Sequence, residues 1–452
     1  MPRPTPWMPL YRFLGSLAIL AAGCKYSPGA DSADASGDGP PGDGTLPDSG
    51  PCQVADEKTC VGNELRTCTT IGETPTPTTC GWGCSEQGGA HCLEITPTGG
   101  AAQTTDLTPA TLVALDAVEI PADTIMNSDA DSIDPPLAMG YAFSETTTGV
   151  LAGIYHFEAL TIKGPLKIEG TQSIILVANG PIVIEGVIDT QSCNVGGTGV
   201  QTQGPGGFRG GNRDQAAAGS GAGGRAGGNN GGGGGGGHGA MGGPGGDPAG
   251  TGGPAFGDEA VMMLIGGGGG GGARGAGGGA GGGGGAAVQL ISNTSITIAA
   301  SGGINAGGCG GGPGGQGGND GGAGGGAGGV IVLEAPTITI NGSLAVNGGG
   351  GGGSNIGGIG GNGRLDRDQA MGGTQGNGTS TGAAGGLGAA GSVLTGGTGA
   401  TATLSSGGGG AIGRMRFNVR TPADLTIADP QKLSPNLEDV DTTTTVGTAT
   451  VN

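Results

Sequence analysis

The sequence predicts an all-β fold: a right-handed parallel β-helix with long glycine-rich loops, plus a small disulfide-rich module. First, three separated segments align residue for residue as strand, polar corner and strand: Ile174–Gly186, Val288–Ala300 and Val330–Gly342. Second, each is followed by a brief apolar piece and then by a glycine tract. Third, 117 of the 452 residues are glycine and only 3% are aromatic, which excludes one large globular core. Units that cannot bury their own apolar face stack as a solenoid.

The N-terminus has the pattern of an export signal over residues 1–23. Arg3 and Arg12 precede an apolar run, Phe13–Gly23, that is too short to span a bilayer. The small residues directly before Cys24 resemble a bacterial lipobox, although the usual leucine lies one position early, at Leu20. The resemblance implies cleavage before Cys24, lipidation of its thiol and attachment to a membrane. The alternative is an ordinary signal peptide with a coincidental cysteine.

Residues 24–50 form an acidic tether rich in glycine, proline and serine. Like charges and a near absence of large apolar side chains predict an extended, solvated linker. Lys25, rather than an aspartate, follows Cys24. By resemblance to other Gram-negative lipoproteins, this favours the outer membrane or cell surface.

Residues 51–95 form a cysteine-rich module. Its cysteines are Cys52, Cys60, Cys68, Cys80, Cys84 and Cys92. In an exported chain they predict three disulfides, with fifteen pairings open. A zinc site that includes Cys80 and Cys84 is the alternative. The stretch Cys60–Cys68 resembles small cysteine modules near the N-termini of myxobacterial surface proteins.

Residues 104–430 are assigned to the β-helix. Leu151–Ile162 predicts a strand pair and Leu166–Gly170 a further strand, before the three aligned units. A last unit, Ile412–Val419, alternates arginines with apolar residues, so that the apolar set faces inward. Leu425–Ile427 could close it, and residues 431–452 are a polar tail or a segment that covers an edge.

Glycine-rich insertions at 195–286, 307–329 and 347–410 leave the repeat at the same place, so we expect them to project from one face. They are either disordered or packed as extended polyglycine, for example at Gly231–Gly237. The tetrapeptide Arg-Asp-Gln-Ala occurs twice, at Arg213–Ala216 and Arg367–Ala370, and predicts a repeated contact. The apolar run Ala260–Ile265 should be covered by other residues.

Two further cysteines test the alignment of the repeat. Cys193 lies five residues after Ile188, and Cys309 lies five residues after Ile304. If the isoleucines stack at β-sheet spacing, the two thiols become neighbours at a separation that suits a disulfide. We therefore predict a Cys193–Cys309 bridge; the alternative is two free buried cysteines.

No catalytic motif stands out. Gly378–Gly382 matches Gly-x-Ser-x-Gly, but no histidine follows it, since His238 is the last in the chain. Gly317–Asp320 and Gly245–Asp247 resemble glycine–aspartate calcium turns without their nonapeptide period, which supports calcium only weakly. We expect no other cofactor and no metal site.

Charge and resemblance narrow the function to two classes. The net charge of −19 disfavours nucleic acid, which needs a basic patch. Residues 150–420 resemble glycine-rich repeat proteins of myxobacteria and actinobacteria, which implies a surface protein. The first hypothesis is a lipid-anchored protein of structural, adhesive or glycan-binding type without catalytic activity, with a polysaccharide or a surface protein as partner.

The second hypothesis is a polysaccharide lyase or hydrolase, because β-helices that resemble pectate lyases (the pectin-lyase-like solenoids) are often such enzymes. Such an enzyme needs carboxylates for calcium beside a basic residue that removes a proton. Arg414 and Arg416 are the candidates for contact with an acidic sugar. Outward carboxylates clustered beside these arginines would favour the enzyme, and a flat, uncharged strand face would favour the non-catalytic protein.

Overall fold

A computed structural model describes most of the chain after residue 50 as nearly all β. The described ranges are 51–107, 115–137, 140–146, 149–193, 202–315, 320–377 and 380–452. The predicted signal peptide, Cys24 and the tether lie outside them. The helices in these ranges are 3-10 turns at Thr104–Leu107, Pro422–Asp424 and Pro430–Lys432, and none is long or apolar enough to cross a membrane.

The cysteine-rich part is a set of short antiparallel strands held by disulfides. The strands are β1 (Lys58–Val61), β2 (Glu64–Thr67), β3 (Thr76–Thr79), β4 (Cys84–Ser85), β5 (His91–Cys92) and β6 (Ile95–Thr96). The disulfides are Cys52–Cys68, Cys60–Cys84 and Cys80–Cys92. All six cysteines are therefore paired, and Cys80 and Cys84 belong to different bridges, so the zinc alternative is wrong.

The remaining strands build three open sheets, except for the last of them, which pairs with β6. In chain order they are β7 (Ala117–Ile120), β8 (Thr124–Asn127), β9 (Ile133–Asp134), β10 (Tyr141–Glu145), β11 (Ala152–Phe157), β12 (Ala159–Ile162), β13 (Leu166–Glu169), β14 (Ser173–Ala178), β15 (Ile182–Ile184), β16 (Val187–Asp189), β17 (Ala287–Ser292), β18 (Ser295–Ile298), β19 (Gly303–Asn305), β20 (Val330–Glu334), β21 (Thr337–Ile340), β22 (Ser343–Ala345), β23 (Arg414–Val419), β24 (Leu425–Ile427), β25 (Leu433–Ser434), β26 (Thr444–Thr448) and β27 (Thr450–Val451).

The chain visits the three sheets in turn. The first sheet has the order β10-β11-β14-β17-β20-β23-β26, the second β24-β21-β18-β15-β12-β7 and the third β25-β22-β19-β16-β13-β8-β9. Pairing is parallel except for β10 with β11 and β8 with β9. A repeat unit is therefore one strand in each sheet, and successive units lie beside one another.

The register of the second and third sheets follows the sequence alignment. Ile182 pairs with Ile296, and Ile296 with Ile338. In the third sheet Ile304 lies between Ile188 and Leu344. These side chains are buried in one continuous apolar core.

The first sheet departs from the alignment by one residue. The alignment places Val330 opposite Val288, but Val288 pairs with Ile331 and Ala287 with Val330. Measured between paired positions, the corner after β20 is one residue shorter than the corner after β17, because Ile291 pairs with Glu334 and Ser295 pairs with Thr337. Val330 therefore faces the opposite side of the sheet from Val288.

Both faces of the first sheet are buried, which explains the apolar run Ile174–Ala178 in β14. In β14, Ile174 and Leu176 enter the core between the sheets, whereas Ile175 and Val177 enter a second cluster on the outer side. Trp82 of the cysteine-rich part belongs to that outer cluster. Val261 and Leu264 also belong to it, so the apolar run Ala260–Ile265 is partly covered, although Met262 and Met263 remain exposed.

The glycine tracts fold into a second body, here called the glycine bundle and comprising the described residues of 202–286, 306–329 and 346–413. Its segments leave after a strand of the third sheet and return before a strand of the first. Within Gly231–Gly237, successive amides donate to different segments. The acceptors for Gly233 to Gly237, in order, are the carbonyls of Gly322, Gly224, Gly243, Gly325 and Gly221.

The hydrogen bonds of this segment repeat every third residue. Gly233 and Gly236 donate to one neighbouring segment, and Gly234 and Gly237 to another. The donors to the carbonyls of Gly233 to Gly237, in order, are Gly408, Gly271, Gly253, Ala411 and Gly268. A three-residue period without internal hydrogen bonds is that of a polyproline II-type helix. The bundle is thus a packed array of such helices, with neighbours on all sides, and the polyglycine packing considered from the sequence is present at Gly231–Gly237.

A disulfide joins the roots of two glycine insertions. Cys193 and Cys309 are bonded, with their Cα atoms 5.4 Å apart. This is the pair that the spacing from Ile188 and Ile304 predicts. Since β16 and β19 are neighbours in the third sheet, the bridge fixes the chain where both tracts begin.

The C-terminal residues cover sheet edges. Met415, Phe417 and Val419 of β23 point into the core, as their alternation predicts. β26 pairs in parallel with β23, and β27 pairs with β6. Residues 431–452 are therefore a segment that covers edges, the second of the two alternatives.

Candidate functional site

The two arginines predicted to contact a sugar are engaged within the fold. Arg414 is 3.3 Å from the carbonyl oxygens of both Phe256 and Gly257. Arg416 donates from Nε to Asn418 Oδ1 at 2.8 Å and from a guanidinium nitrogen to the carbonyl of Val446. Burial lowers the pKa of both guanidinium groups. These side chains hold a loop and the last strand of the first sheet, and the exposed carboxylates of Asp258 and Glu259 attract both guanidinium groups.

The outer face of the second sheet is a flat row of small side chains, here called the threonine face. It consists of Thr161, Val183, Thr297, Thr339 and Thr426, one from each of five neighbouring strands in register. Their neighbours in sequence, Leu160, Ile182, Ile296, Ile338 and Leu425, point into the core. Strict alternation in each strand thus exposes a hydroxyl-rich surface with a spacing of about 4.8 Å.

The hydroxyls of this face are free to take a ligand. Thr297 and Thr339 are half-buried, and within the described ranges neither hydroxyl has a hydrogen-bond partner. At one end of the face Lys163 Nζ is 3.4 Å from Glu119 and 3.3 Å from Glu185, and at the other, beside β24, Arg420 is 3.3 Å from Asp424. The face positions on the central strands, Val183, Thr297 and Thr339, carry no charge.

A groove of about 620 Å³ lies beside the first sheet at the edge of the glycine bundle. Leu151, Phe208, Met263 and Ile265 contribute to its mainly apolar lining. None of the described residues that line it has a titratable side chain. It therefore has no acid or base for general catalysis.

A buried polar cluster on the first sheet was missed from the sequence. Glu334 is fully buried and accepts hydrogen bonds from Thr98, Gln289 and Asn418, at 2.8 Å in the case of Asn418. Burial raises the pKa of Glu334, and these donors oppose the increase. The signal was available, because Gln289 and Glu334 stand in the mainly apolar strands β17 and β20, and Asn418 of β23 pairs with Glu334. The cluster ties the segment around Thr98 across three repeat units and is closed to ligands.

His238 is buried inside the glycine bundle. Its exposed fraction is 2%, its Nδ1 is 3.0 Å from the carbonyl oxygen of Gly328, and its ring centroid is 4.6 Å from that of Phe256. Burial lowers the pKa of His238 to about 4. The ring is thus neutral at ordinary pH, and its contacts with Gly328 and Phe256 connect segments of the glycine bundle.

Of the two weak calcium candidates, the structure describes Gly245–Asp247 and Asp320. Among the described residues no group of three or more histidine, cysteine, aspartate or glutamate side chains could hold a metal ion. Asp320 is buried and accepts from the amide of Gly277 at 2.7 Å, while Asp247 lies exposed in a turn. Residues 317–319, which complete the first candidate, lie outside the described ranges, as do residues 378 and 379 of the Gly-x-Ser-x-Gly match.

Comparison with known proteins gives no assignment. No family model matches the chain, and neither a curated protein nor a solved structure gives a significant match.

Proposed function

We propose that the protein is an exported, lipid-anchored surface protein of adhesive or structural type that binds glycan along the threonine face without changing it chemically. Its place in this proposal is the outer membrane or cell surface of a Gram-negative bacterium. Three open sheets visited in turn support the finer fold assignment that goes with it, a right-handed parallel β-helix of the pectin-lyase-like type.

The flat, nearly uncharged threonine face carries the proposal. Within the described ranges the hydroxyls of Thr297 and Thr339, on neighbouring strands, have no hydrogen-bond partner, and each can both donate to and accept from a sugar hydroxyl. A regular row of such groups suits a long polymer that is held at many points. The five side chains of the face are threonines and one valine, none of which is an ordinary general acid or base.

The enzyme alternative has less support from the geometry. A lyase needs a basic residue free to approach the sugar and carboxylates that hold calcium beside it. Arg414 and Arg416 are bonded to carbonyl oxygens and to Asn418. Burial lowers the pKa of both guanidinium groups, and of the carboxylates that attract Arg416 that of Glu334 is enclosed, whereas those of Asp258 and Glu259 are exposed.

The anchor rests on the sequence. Cys24 follows an export signal, and the acidic tether of 24–50 would hold the folded part away from the membrane. Expression with the leader in the presence of radioactive palmitate tests this part. The native chain should take up label, and a Cys24→Ser variant should not.

A soluble version of the protein, which begins after Cys24, tests glycan binding. We would incubate it with neutral and acidic polysaccharides, with calcium and with chelator, and measure retention and the appearance of shortened or unsaturated products. We expect retention without products. The double variant Thr297→Val with Thr339→Val should lose retention about tenfold, because it removes two hydroxyls and keeps the shape.

The matched control is Thr67→Val with Thr76→Val, a cross-strand threonine pair in the cysteine-rich part. It should bind like the native chain. Products that appear with the native chain would overturn the non-catalytic proposal. Equal retention by both double variants would remove the threonine face as the binding surface.

A further inference from the structure

Three arginines meet at the turns of the glycine bundle in an otherwise acidic protein. Arg213, Arg225 and Arg274 line an open depression of about 480 Å³, together with Asp214 and Asn229. We call the three arginines and this depression the arginine site. It lies on the glycine bundle, whereas the threonine face belongs to the second sheet.

The backbone holds the three turns in a fixed relation. The amide of Asp214 donates to the carbonyl of Ala273 at 2.9 Å, and the amide of Ala226 donates to the carbonyl of Gly272 at 3.1 Å. The three arginines thus project from segments that are hydrogen-bonded to one another beside each arginine. Such a site is preorganised, so little ordering cost falls on the ligand.

The site has an excess of positive charge. Arg274 Nε is 3.5 Å from Asp214 Oδ1, and both side chains are more than a third exposed. Arg213 donates to the carbonyl of Ala276, which leaves its charge unopposed. Among the described residues Arg225 has no hydrogen bond or ion pair, and it is exposed. Three guanidiniums face one carboxylate in a chain whose net charge is −19.

The second copy of the Arg-Asp-Gln-Ala tetrapeptide shows what a purely structural arginine looks like in this protein. Arg367 contacts Asp439 through two nitrogens, at 3.0 and 2.7 Å, and donates to the carbonyl of Leu433 at 2.7 Å. The Arg367 guanidinium helps to keep the pKa of Asp439 below its usual value, against the effect of burial. The prediction that the two copies of the tetrapeptide make the same contact is therefore wrong, because within the described ranges Arg213 forms no ion pair like that between Arg367 and Asp439.

We propose that the arginine site binds the acidic groups, carboxylate or sulfate, of a polyanionic polysaccharide. Guanidinium groups bind such oxyanions in pairs of parallel hydrogen bonds, and an open depression admits a group that projects from a polymer. The acidic remainder of the surface repels a polyanion, which restricts its contact to this place. The inference rests on the adhesive role proposed above and names the class of glycan for it.

The test is binding of polygalacturonate and of chondroitin sulfate to immobilised protein at low and at physiological salt, with dextran as the neutral polymer. The variant Arg213→Gln, Arg225→Gln, Arg274→Gln should bind both acidic polymers about tenfold or more weakly. Its dextran binding should not change, and native binding should weaken as salt is raised.

The matched control removes the same charge elsewhere, as Lys58→Gln, Arg209→Gln, Arg364→Gln, all at exposed positions. It should keep native affinity for the acidic polymers. An equal loss in the control would reduce the effect to net charge, and tighter binding of duplex DNA than of either polysaccharide would overturn the ligand class. If the threonine-face variant abolishes acidic binding and the arginine variant leaves it intact, this inference fails while the proposed function stands.

Discussion

The three sheets and the glycine bundle both exclude water from their interiors, but they fill those interiors in opposite ways. Between the sheets, side chains such as Ile296 and Phe417 fill the interior and are fully buried. In the bundle, buried segments such as Gly231–Gly237 have no side chains at all, and backbone packs on backbone. Water is excluded from the first region by apolar groups and from the second because nearly every peptide group has a peptide partner.

The difference predicts opposite sensitivities. A core of side chains is damaged when volume is removed, because a cavity remains. An array of bare backbones is damaged when volume is added, because the neighbouring peptide cannot move aside without breaking its own hydrogen bonds. Three predictions follow this contrast from its largest effect to its smallest.

Phe417→Ala should cost about 3–5 kcal/mol of the free energy of unfolding, because it leaves a cavity between the sheets. Urea unfolding followed by circular dichroism measures it. Thr426→Ala, on the exposed face of the neighbouring sheet, is the control and should stay within about 0.5 kcal/mol. A loss below about 1 kcal/mol for Phe417→Ala would mean that the sheets do not depend on their filling.

Gly235→Ala, which adds one methyl group, should cost about 3 kcal/mol. A Cβ at Gly235 would overlap the carbonyl oxygen of Gly409, which is itself hydrogen-bonded to another segment. The control is Gly227→Ala at an exposed turn, where the nearest atom to the new Cβ is 3.3 Å away, and it should cost less than about 1 kcal/mol. Urea unfolding compares the two, and equal losses would contradict backbone-limited packing.

Acid should weaken the bundle through His238. Its pKa is lowered to about 4 in the folded protein and is about 6.5 when unfolded, so the unfolded chain binds a proton first as pH falls. Stability is complete above pH 6.5 and declines towards pH 4, by about 2 kcal/mol at pH 5. Unfolding midpoints measured from pH 7 to pH 5 should show this slope. The variant His238→Phe keeps an aromatic ring beside Phe256 and should show a smaller loss of stability between pH 7 and pH 5. An unchanged loss in this variant would mean that another group causes the pH dependence.

The sequence predicts the stacking of units well, because the apolar periodicity of the second and third sheets is strict. Ile182, Ile296 and Ile338 align in the sequence and pair in the structure. The one-residue offset at Val330 could not be seen, since both faces of the first sheet are apolar and either register buries the strand. The pairing register of the first sheet depends on the length of a corner, and the hydrophobic pattern does not show that length.

The bundle and the candidate sites were harder to predict for a physical reason. A glycine has no side chain to show which neighbour it will meet, so order and disorder at Gly231–Gly237 stayed equal alternatives. Arg274 is far in sequence from Arg213 and Arg225, and hydrogen bonds between backbones bring it to them. Strand alternation predicts that the side chains of Arg414 and Arg416 point outward. It does not show that the loop at Phe256 contacts Arg414.

The absence of hydrogen bonds within each segment of the bundle governs the order in which the chain can fold. A polyproline II-type helix cannot close a single turn on its own contacts, and glycine loses more backbone freedom on ordering than any other residue. The carbonyl groups of Gly233 and Gly236 accept hydrogen bonds from the amides of Gly408 and Ala411, which are synthesised much later. Repeat units of the sheets can be added one by one from the N-terminal side, but the bundle is completed cooperatively, and only after its last segment has left the ribosome.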